Sequence, residues 1–245
     1  MALKALPASV ALTACLCMGA APAGAATRQA APPRLAPTAK LAHVAHPVRP
    51  TPVWSRPGGG HLMWRTPAQT AWNGGPVSLL VLGSRAVHGT LWLEVRLPIR
   101  PNTAAGWVNS NFVTMSATEW RVVVHTAVRW VDVYRSGRKV RGFAAVVGKG
   151  STPTPHGLFA VWEKIPEPDV HGFLGPWALH LTAHSNVLFN FGGGPGRVAI
   201  HGRDGASLLD PLGTADSHGC VRVLNQNVIW LAEVLNPGDP VLVTN

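Results

Sequence analysis

The chain has 245 residues, enough for one large or two modest domains, and 47% of them are hydrophobic, enough to pack a core. Only 13% are charged, low for a cytosolic protein, yet the formal net charge is +10. Such a balance favours polyanions. The sequence carries no nucleic-acid-binding motif, so nucleic acid is set aside and an anionic cell envelope is the expected partner.

Residues 1–25 have the form of an export signal. Lys4 supplies the positive end, Ala8 to Ala21 is apolar but short for a membrane span, and Ala23-Gly24-Ala25 offers a cleavage site that starts the mature chain near Ala26. A rival pattern overlaps it: Leu12-Thr13-Ala14-Cys15 resembles a bacterial lipobox, which makes Cys15 a lipidated N-terminus. Either way the chain is expected to be exported to the cell envelope, periplasm or cell wall. Contact with the membrane then runs only through the export signal or a lipid at Cys15. Loss of the leader leaves Cys220 as the one cysteine. An unpaired thiol in an exported protein marks a candidate reactive site.

Residues 26–56 are rich in Ala and Pro and show no apolar periodicity. Pro32, Pro33, Pro37, Pro47, Pro50 and Pro52 oppose a helix or a central strand, so an irregular tether is expected there. Residues 57–115 alternate short strands with turns. Val77 to Leu82 is a continuous apolar run, and Leu91, Leu93, Val95 and Leu97 alternate with Trp92, Glu94 and Arg96. Asn73-Gly74-Gly75-Pro76 and Pro101-Asn102 are turn signals. The phrase from Trp92 to Pro101, followed by Gly106-Trp107-Val108, resembles a small bacterial SH3-like β-barrel. Such modules bind cell-wall peptides, though a packing or spacer role fits equally, with Trp92 and Trp107 in the core.

A second domain is expected over 118–245. Its strands are Trp120–Val124, Trp130–Tyr134, Val140–Val147, Leu158–Trp162, Trp177–Leu181, Val187–Phe191, Val198–Ile200, Val221–Val223 and Val241–Val243, with a Ser136-Gly137 hairpin turn. Gly148 to Gly157 is a loop. Its Gly-x-Gly is no phosphate cradle, because no helix pattern follows. Glu163 to Trp177 is long and broken by proline, a surface loop or a lid. Asn225 stands where it can cap a helix whose Val228, Leu231, Ala232 and Leu235 form one apolar stripe. The fold class is therefore mostly β with one C-terminal helix.

The chemistry concentrates between Ile200 and Val223. His201 closes one apolar strand and Cys220 opens another, so neighbouring strands would set imidazole beside thiol. A thiol becomes a strong nucleophile when a base takes its proton or positive charge lowers its pKa. Gly219 leaves room for a bound carbonyl, and the N–H of Gly219 or Cys220 can help form an oxyanion hole. His218 is two residues from Cys220, about 7 Å away along an extended segment at about 3.3 Å per residue. His201 can be placed closer. His180 and His184 fit core or surface positions. Asp204 and Asp216 can orient a histidine or satisfy turn backbone. His201, His218 and Cys220 could in principle bind zinc, but their order matches no common zinc signature and no fourth ligand stands at ligand spacing. No metal or other cofactor is expected.

His201-Gly202 and Ser217-His218-Gly219-Cys220-Val221-Arg222, in this order and spacing, resemble the catalytic motif of the L,D-transpeptidases, the cysteine enzymes that cross-link bacterial peptidoglycan. Thr152-Pro153-Thr154-Pro155-His156-Gly157 resembles a further stretch of that family. The resemblance covers roughly the last half of the chain. It implies a mixed β-sandwich-like catalytic domain, Cys220 as nucleophile and His201 as its proton partner, with the imidazole oriented by the Gly202 carbonyl. It makes Ser217, His218, Gly219 and Arg222 supporting or substrate-binding residues. Arg222 would hold a substrate carboxylate or an internal ion pair. The implied partners are peptidoglycan stem peptides, and the implied role is cell-wall biogenesis and cell shape. A tetrapeptide stem would lose its D-alanine to form a thioester, and the amine of a second stem would resolve it. Water in place of the amine gives an L,D-carboxypeptidase. A non-catalytic wall-binding protein is the alternative of another class.

Overall fold

The computed structural model describes residues 33–245, with Met1 and Ala2; the export signal's Lys4, its cleavage site and Cys15 lie outside the described residues. Two β-sheets carry the chain. The first has strands β1 (Ala42–Pro47), β2 (Pro52–Arg56), β3 (Gly59–Arg65), β4 (Leu79–Val87), β5 (Thr90–Arg96), β6 (Ala105–Asn109) and β7 (Val113–Thr118). Their order across the sheet is β3-β2-β6-β5-β4-β1-β7. The period-two pattern of β5 buries Leu93 and Val95 on one face, beside Val108 of β6.

The expected tether to residue 56 is corrected by this sheet. β1 and β2 lie inside it, and β1 pairs with both β4 and β7. Ala42, Val44 and Ala45 are almost fully buried. The prolines are compatible because Pro47 ends β1 and Pro52 begins β2, positions where a missing N–H is tolerated. A boundary at residue 57 would cut the β2–β3 hairpin. Trp92 and Trp107 are also corrected: both are half-buried, on the face opposite Leu93 and Val108.

The second sheet has strands β8 (Trp120–His125), β9 (Trp130–Arg135), β10 (Arg138–Ala144), β11 (Gly157–Pro166), β12 (Trp177–His184), β13 (Arg197–His201), β14 (Val221–Arg222) and β15 (Pro240–Thr244). The order is β10-β9-β8-β15-β11-β12-β13-β14, mostly antiparallel, with parallel pairs at β15–β8 and β13–β14. The one α-helix among the described residues, α1 (Asn225–Val234), lays Val228, Leu231 and Ala232 on the core built from Val122, Val133, Phe159, Leu181 and Ile200. Lys164 Nζ donates to the carbonyls of Ala232 at 2.8 Å and Leu235 at 2.6 Å, which satisfies the helix C-terminus. The mostly β fold with one C-terminal helix stands as expected.

Three local expectations change. Val187–Phe191 is a loop rather than a strand: β12 runs on to His184, and Phe189 and Phe191 are exposed. β11 continues to Pro166, so the candidate lid shrinks to residues 167–176. Leu224, not Asn225, is the helix N-cap, and no side chain caps it. Asn225 Oδ1 instead accepts the Arg203 N–H at 2.8 Å, tying the helix start to the strand end after His201.

The sheets meet along β11. Trp162, from the second sheet, is buried in the core of the first and packs edge-on against Trp64 at 6.2 Å between ring centroids.

Candidate active site

Register places the site. Leu179 pairs with Ile200, and Ile200 with Val221; all three are fully buried in the core. The residues that flank them along each strand face the other way. One row across β12, β13 and β14 is Ala178, His201 and Arg222. The next holds His180 and Ala199, with Cys220 following one step before Val221. Ala178, His180, Ala199 and Cys220 line one cavity, so His201 of β13 and Cys220, one residue before β14, lie on the same side of the sheet.

Each is held by its neighbours. His201 is 1% exposed, and its Nδ1 donates to the Gly202 carbonyl at 2.7 Å. A carbonyl can only accept, so the proton sits on Nδ1 and Nε2 carries the lone pair. Gly202 has no room for a larger residue: an added Cβ would lie 2.4 Å from Asn225 Oδ1. Ser217 Oγ donates to the Cys220 carbonyl at 2.6 Å and accepts the Gly219 N–H at 3.1 Å. Gly219 has φ of 116°, which only glycine adopts without strain. The Gly219 N–H is thus engaged, and of the two expected oxyanion donors the Cys220 N–H remains.

The 148–157 loop clamps this turn. Thr152 Oγ1 donates to the Ser217 carbonyl at 3.1 Å, and Thr154 Oγ1 donates to the Gly219 carbonyl at 2.9 Å. Thr154 Oγ1 also accepts the Gly148 N–H at 2.9 Å. These hydroxyls are the physical content of the Thr-Pro-Thr-Pro stretch.

Electrostatics keep the pair neutral at rest. Burial pushes the Cys220 thiol above its ordinary value, with the Ala199 backbone N–H and the Arg222 charge pulling it partly back. Burial also lowers His201, to about 4; the Gly202 carbonyl opposes this and Arg222 adds to it. The thiol and imidazole are therefore both uncharged at neutral pH.

Arg222 is 2% exposed and pairs with Asp210 through Nη1. Its guanidinium also lies 4.7 Å from the Phe173 ring centroid. Of the two roles left open for Arg222, this is the internal ion pair. His218 is exposed and stacks on Phe191, 5.3 Å between centroids. Asp204 caps the turn at Gly205 and pairs with the exposed His171, and Asp216 is exposed. Neither aspartate is seen to orient His201. Among the described residues no three His, Cys, Asp or Glu side chains converge as metal ligands.

A cavity of about 470 Å³ opens onto Cys220, walled by Trp72, Ile165, Leu174, His180 and Phe191. Sequence reasoning missed this wall. His180 had a usable signal, because it alternates with Leu179 and Leu181 on one strand. Trp72 had none, since it comes from the other sheet.

The L,D-transpeptidase catalytic domain family, YkuD, matches residues 119–243. A Bacillus licheniformis protein called YkuD is 30% identical over 125 residues, which are 51% of this chain and 66% of its own length. L,D-transpeptidase 1 of Mycobacterium tuberculosis is 31% identical over 124 residues, 45% of each chain. The chain thus spans just under two thirds of one relative and less than half of the other. The structure of an L,D-transpeptidase from Mycobacterium smegmatis aligns at 17% identity and a TM-score of 0.41, over 64% of this chain and 91% of that one. The matched residues run from the start of the second sheet into its last strand and include both His201 and Cys220, and the chain belongs to the L,D-transpeptidase catalytic-domain family.

Proposed function

We propose that the protein cross-links peptidoglycan stems through a thioester on Cys220. One observation carries this reading: His201 at the end of β13 and Cys220 at the entry to β14 lie on the same side of the sheet, with the imidazole proton committed to Gly202. Nε2 takes the thiol proton as the sulfur attacks the carbonyl of the diamino acid at the third stem position. The Cys220 N–H meets the negative oxygen that forms. His201 then protonates the leaving D-alanine. In the second step an amine of another stem attacks the thioester, His201 takes its proton, and the thiol is regenerated. Arg222 and Ser217 act through position: one ties β14 to Asp210, the other fixes the Cys220 carbonyl. Phe191, which lines the cavity, and His218, stacked on it, are contacts for the stem.

The cellular setting is part of the same proposal. Residues 1–25 direct export, the basic surface holds the protein in an anionic envelope, and the first sheet is an SH3-like module. The test is incubation of the purified chain with disaccharide-tetrapeptide. Cross-linked dimer with release of D-alanine supports transpeptidation. Tripeptide alone assigns the L,D-carboxypeptidase outcome, and unchanged substrate overturns the enzymatic reading in favour of wall binding.

A further inference from the structure

Acylation of Cys220 makes no use of Trp72, although Trp72 belongs to the same cavity. Trp72 lies between β3 and β4, outside the family-matched residues 119–243. Its turn is fastened to the second sheet. The backbone N–H groups of Trp72 and Asn73 both donate to Glu163 Oε1, at 2.9 and 2.7 Å, and Asn73 Nδ2 donates to the Lys164 carbonyl at 2.8 Å. Glu163 is 1% exposed; these bonds satisfy its Oε1, while Oε2 is buried with no partner among the described residues, so freeing the turn would leave the whole carboxylate unmet. The Trp72 ring lies 4.4 Å from the His180 ring and 5.6 Å from the Arg197 guanidinium.

Glu167 lines the same cavity, and its carboxylate makes no hydrogen bond or ion pair among the described residues. Burial raises its proton affinity. The cationic competitors are accounted for. Arg197 donates to the carbonyls of Leu181 at 3.0 Å and Pro98 at 3.4 Å, and burial holds His180 near 4, uncharged at neutral pH. Ile165 and Leu174 add apolar surface beside Trp72.

We propose that Trp72 and Glu167 form the subsite for an aliphatic ammonium side chain, so that the first sheet completes the acceptor site of the second. The polymethylene stem packs on Trp72, Ile165 and Leu174, and the ammonium meets Glu167. This rests on the transpeptidase reading above. Glu167 holds and orients the ammonium, which loses one proton to solvent water before attack. The neutral amine attacks the thioester carbonyl, the C–N bond forms and the C–S bond breaks with its electron pair returning to the Cys220 sulfur. The second nitrogen proton passes through His201 to that sulfur.

The test uses the full chain, disaccharide-tetrapeptide as acyl donor, and two acceptor amines, Nα-acetyl-lysinamide and glycinamide. Mass spectrometry reads capture of the acyl group by amine against capture by water. Trp72→Ala and Glu167→Gln should each lower lysinamide capture by about tenfold or more, the scale of a lost charge-assisted contact. Glycinamide capture and the rate of Cys220 acylation should stay within about twofold. Glu163→Leu, which frees the turn, should behave like Trp72→Ala, and Glu163→Gln, which keeps an accepting oxygen, should restore capture. Equal losses for both amines, or an unchanged partition, overturn the subsite while the thioester stands. A wild-type chain that forms no thioester overturns the transpeptidase reading and the subsite with it.

Discussion

At the scale of single residues, the pair of interest is uncharged. Two consequences follow for Cys220. Cys220→Ala should abolish thioester formation and turnover, and Cys220→Ser should be nearly as poor, because a hydroxyl is far less acidic than a thiol; turnover of stem peptide by Cys220→Ala at the wild-type rate would remove the cysteine mechanism. The thiol should also titrate above its ordinary value, because burial outweighs Ala199 and Arg222. Alkylation by iodoacetamide across a pH series reads this directly, and a thiolate already present at neutral pH would contradict it. The two histidines then separate. His201→Ala should slow acylation by on the order of a hundredfold, typical for losing a general acid–base. His218→Ala, which removes an exposed ring stacked on Phe191, should cost far less. The reverse order of effects would exchange their roles. Both histidines and the cysteine are legible in the sequence because short motifs carry them. The neutral resting state is not, because it comes from burial supplied by segments far away in the chain.

At the scale of elements, the turn that presents Cys220 is shaped by hydroxyls from another loop. Thr154 bridges the Gly219 carbonyl and the Gly148 N–H. Thr154→Val keeps the shape and removes both bonds, leaving buried polar groups unmet. That should cost about 1–3 kcal/mol of stability by urea unfolding and lower turnover more than it lowers substrate affinity. Unchanged turnover would mean that the turn holds without the clamp. Strand periodicity made most of the second sheet readable, from Trp120 to Ile200. It failed at Val187–Phe191, where an apolar run stays in solvent near the cavity and alternation alone has no meaning. It failed also at β1 and β2, where proline counts suggested a tether. Prolines at strand ends do not oppose a sheet, and the apolar Ala42, Val44 and Ala45 between them carried the better signal.

At the scale of the whole molecule, buried histidines make the fold sensitive to acid. His201 and His180 are lowered to about 4 and His184 to about 3, against 6.5 in the unfolded chain. Between those values the unfolded chain binds more protons than the folded one, so stability is full above about pH 6.5 and falls as pH drops toward 4 and 3. His201 alone contributes about 3 kcal/mol of this loss at about 1.4 kcal/mol per pKa unit. Asp239 works in the opposite sense: raised to about 6 by burial, it favours the folded state as pH falls from 6 toward its unfolded value. The histidines outnumber it, so urea midpoints should decline steadily from pH 6.5 to 4. A flat profile would show that these imidazoles are protonated in the native state without penalty. Of these three histidines only His180, alternating with Leu179 and Leu181, carried a sequence signal; the burial that sets His201 and His184 apart from exposed His218 depends on how the strands are laid side by side.

The placement of Trp162 has a consequence for how the protein comes apart. An indole that belongs by chain to one sheet and by packing to the core of the other couples the two in a single melting event. Calorimetry of the full chain should give one endotherm whose van't Hoff and calorimetric enthalpies agree. A fragment starting at residue 118 leaves this indole in water and should melt lower and aggregate. Family kinship ends at residue 119, but cooperativity does not, and a protease that opens the first sheet would silence the second.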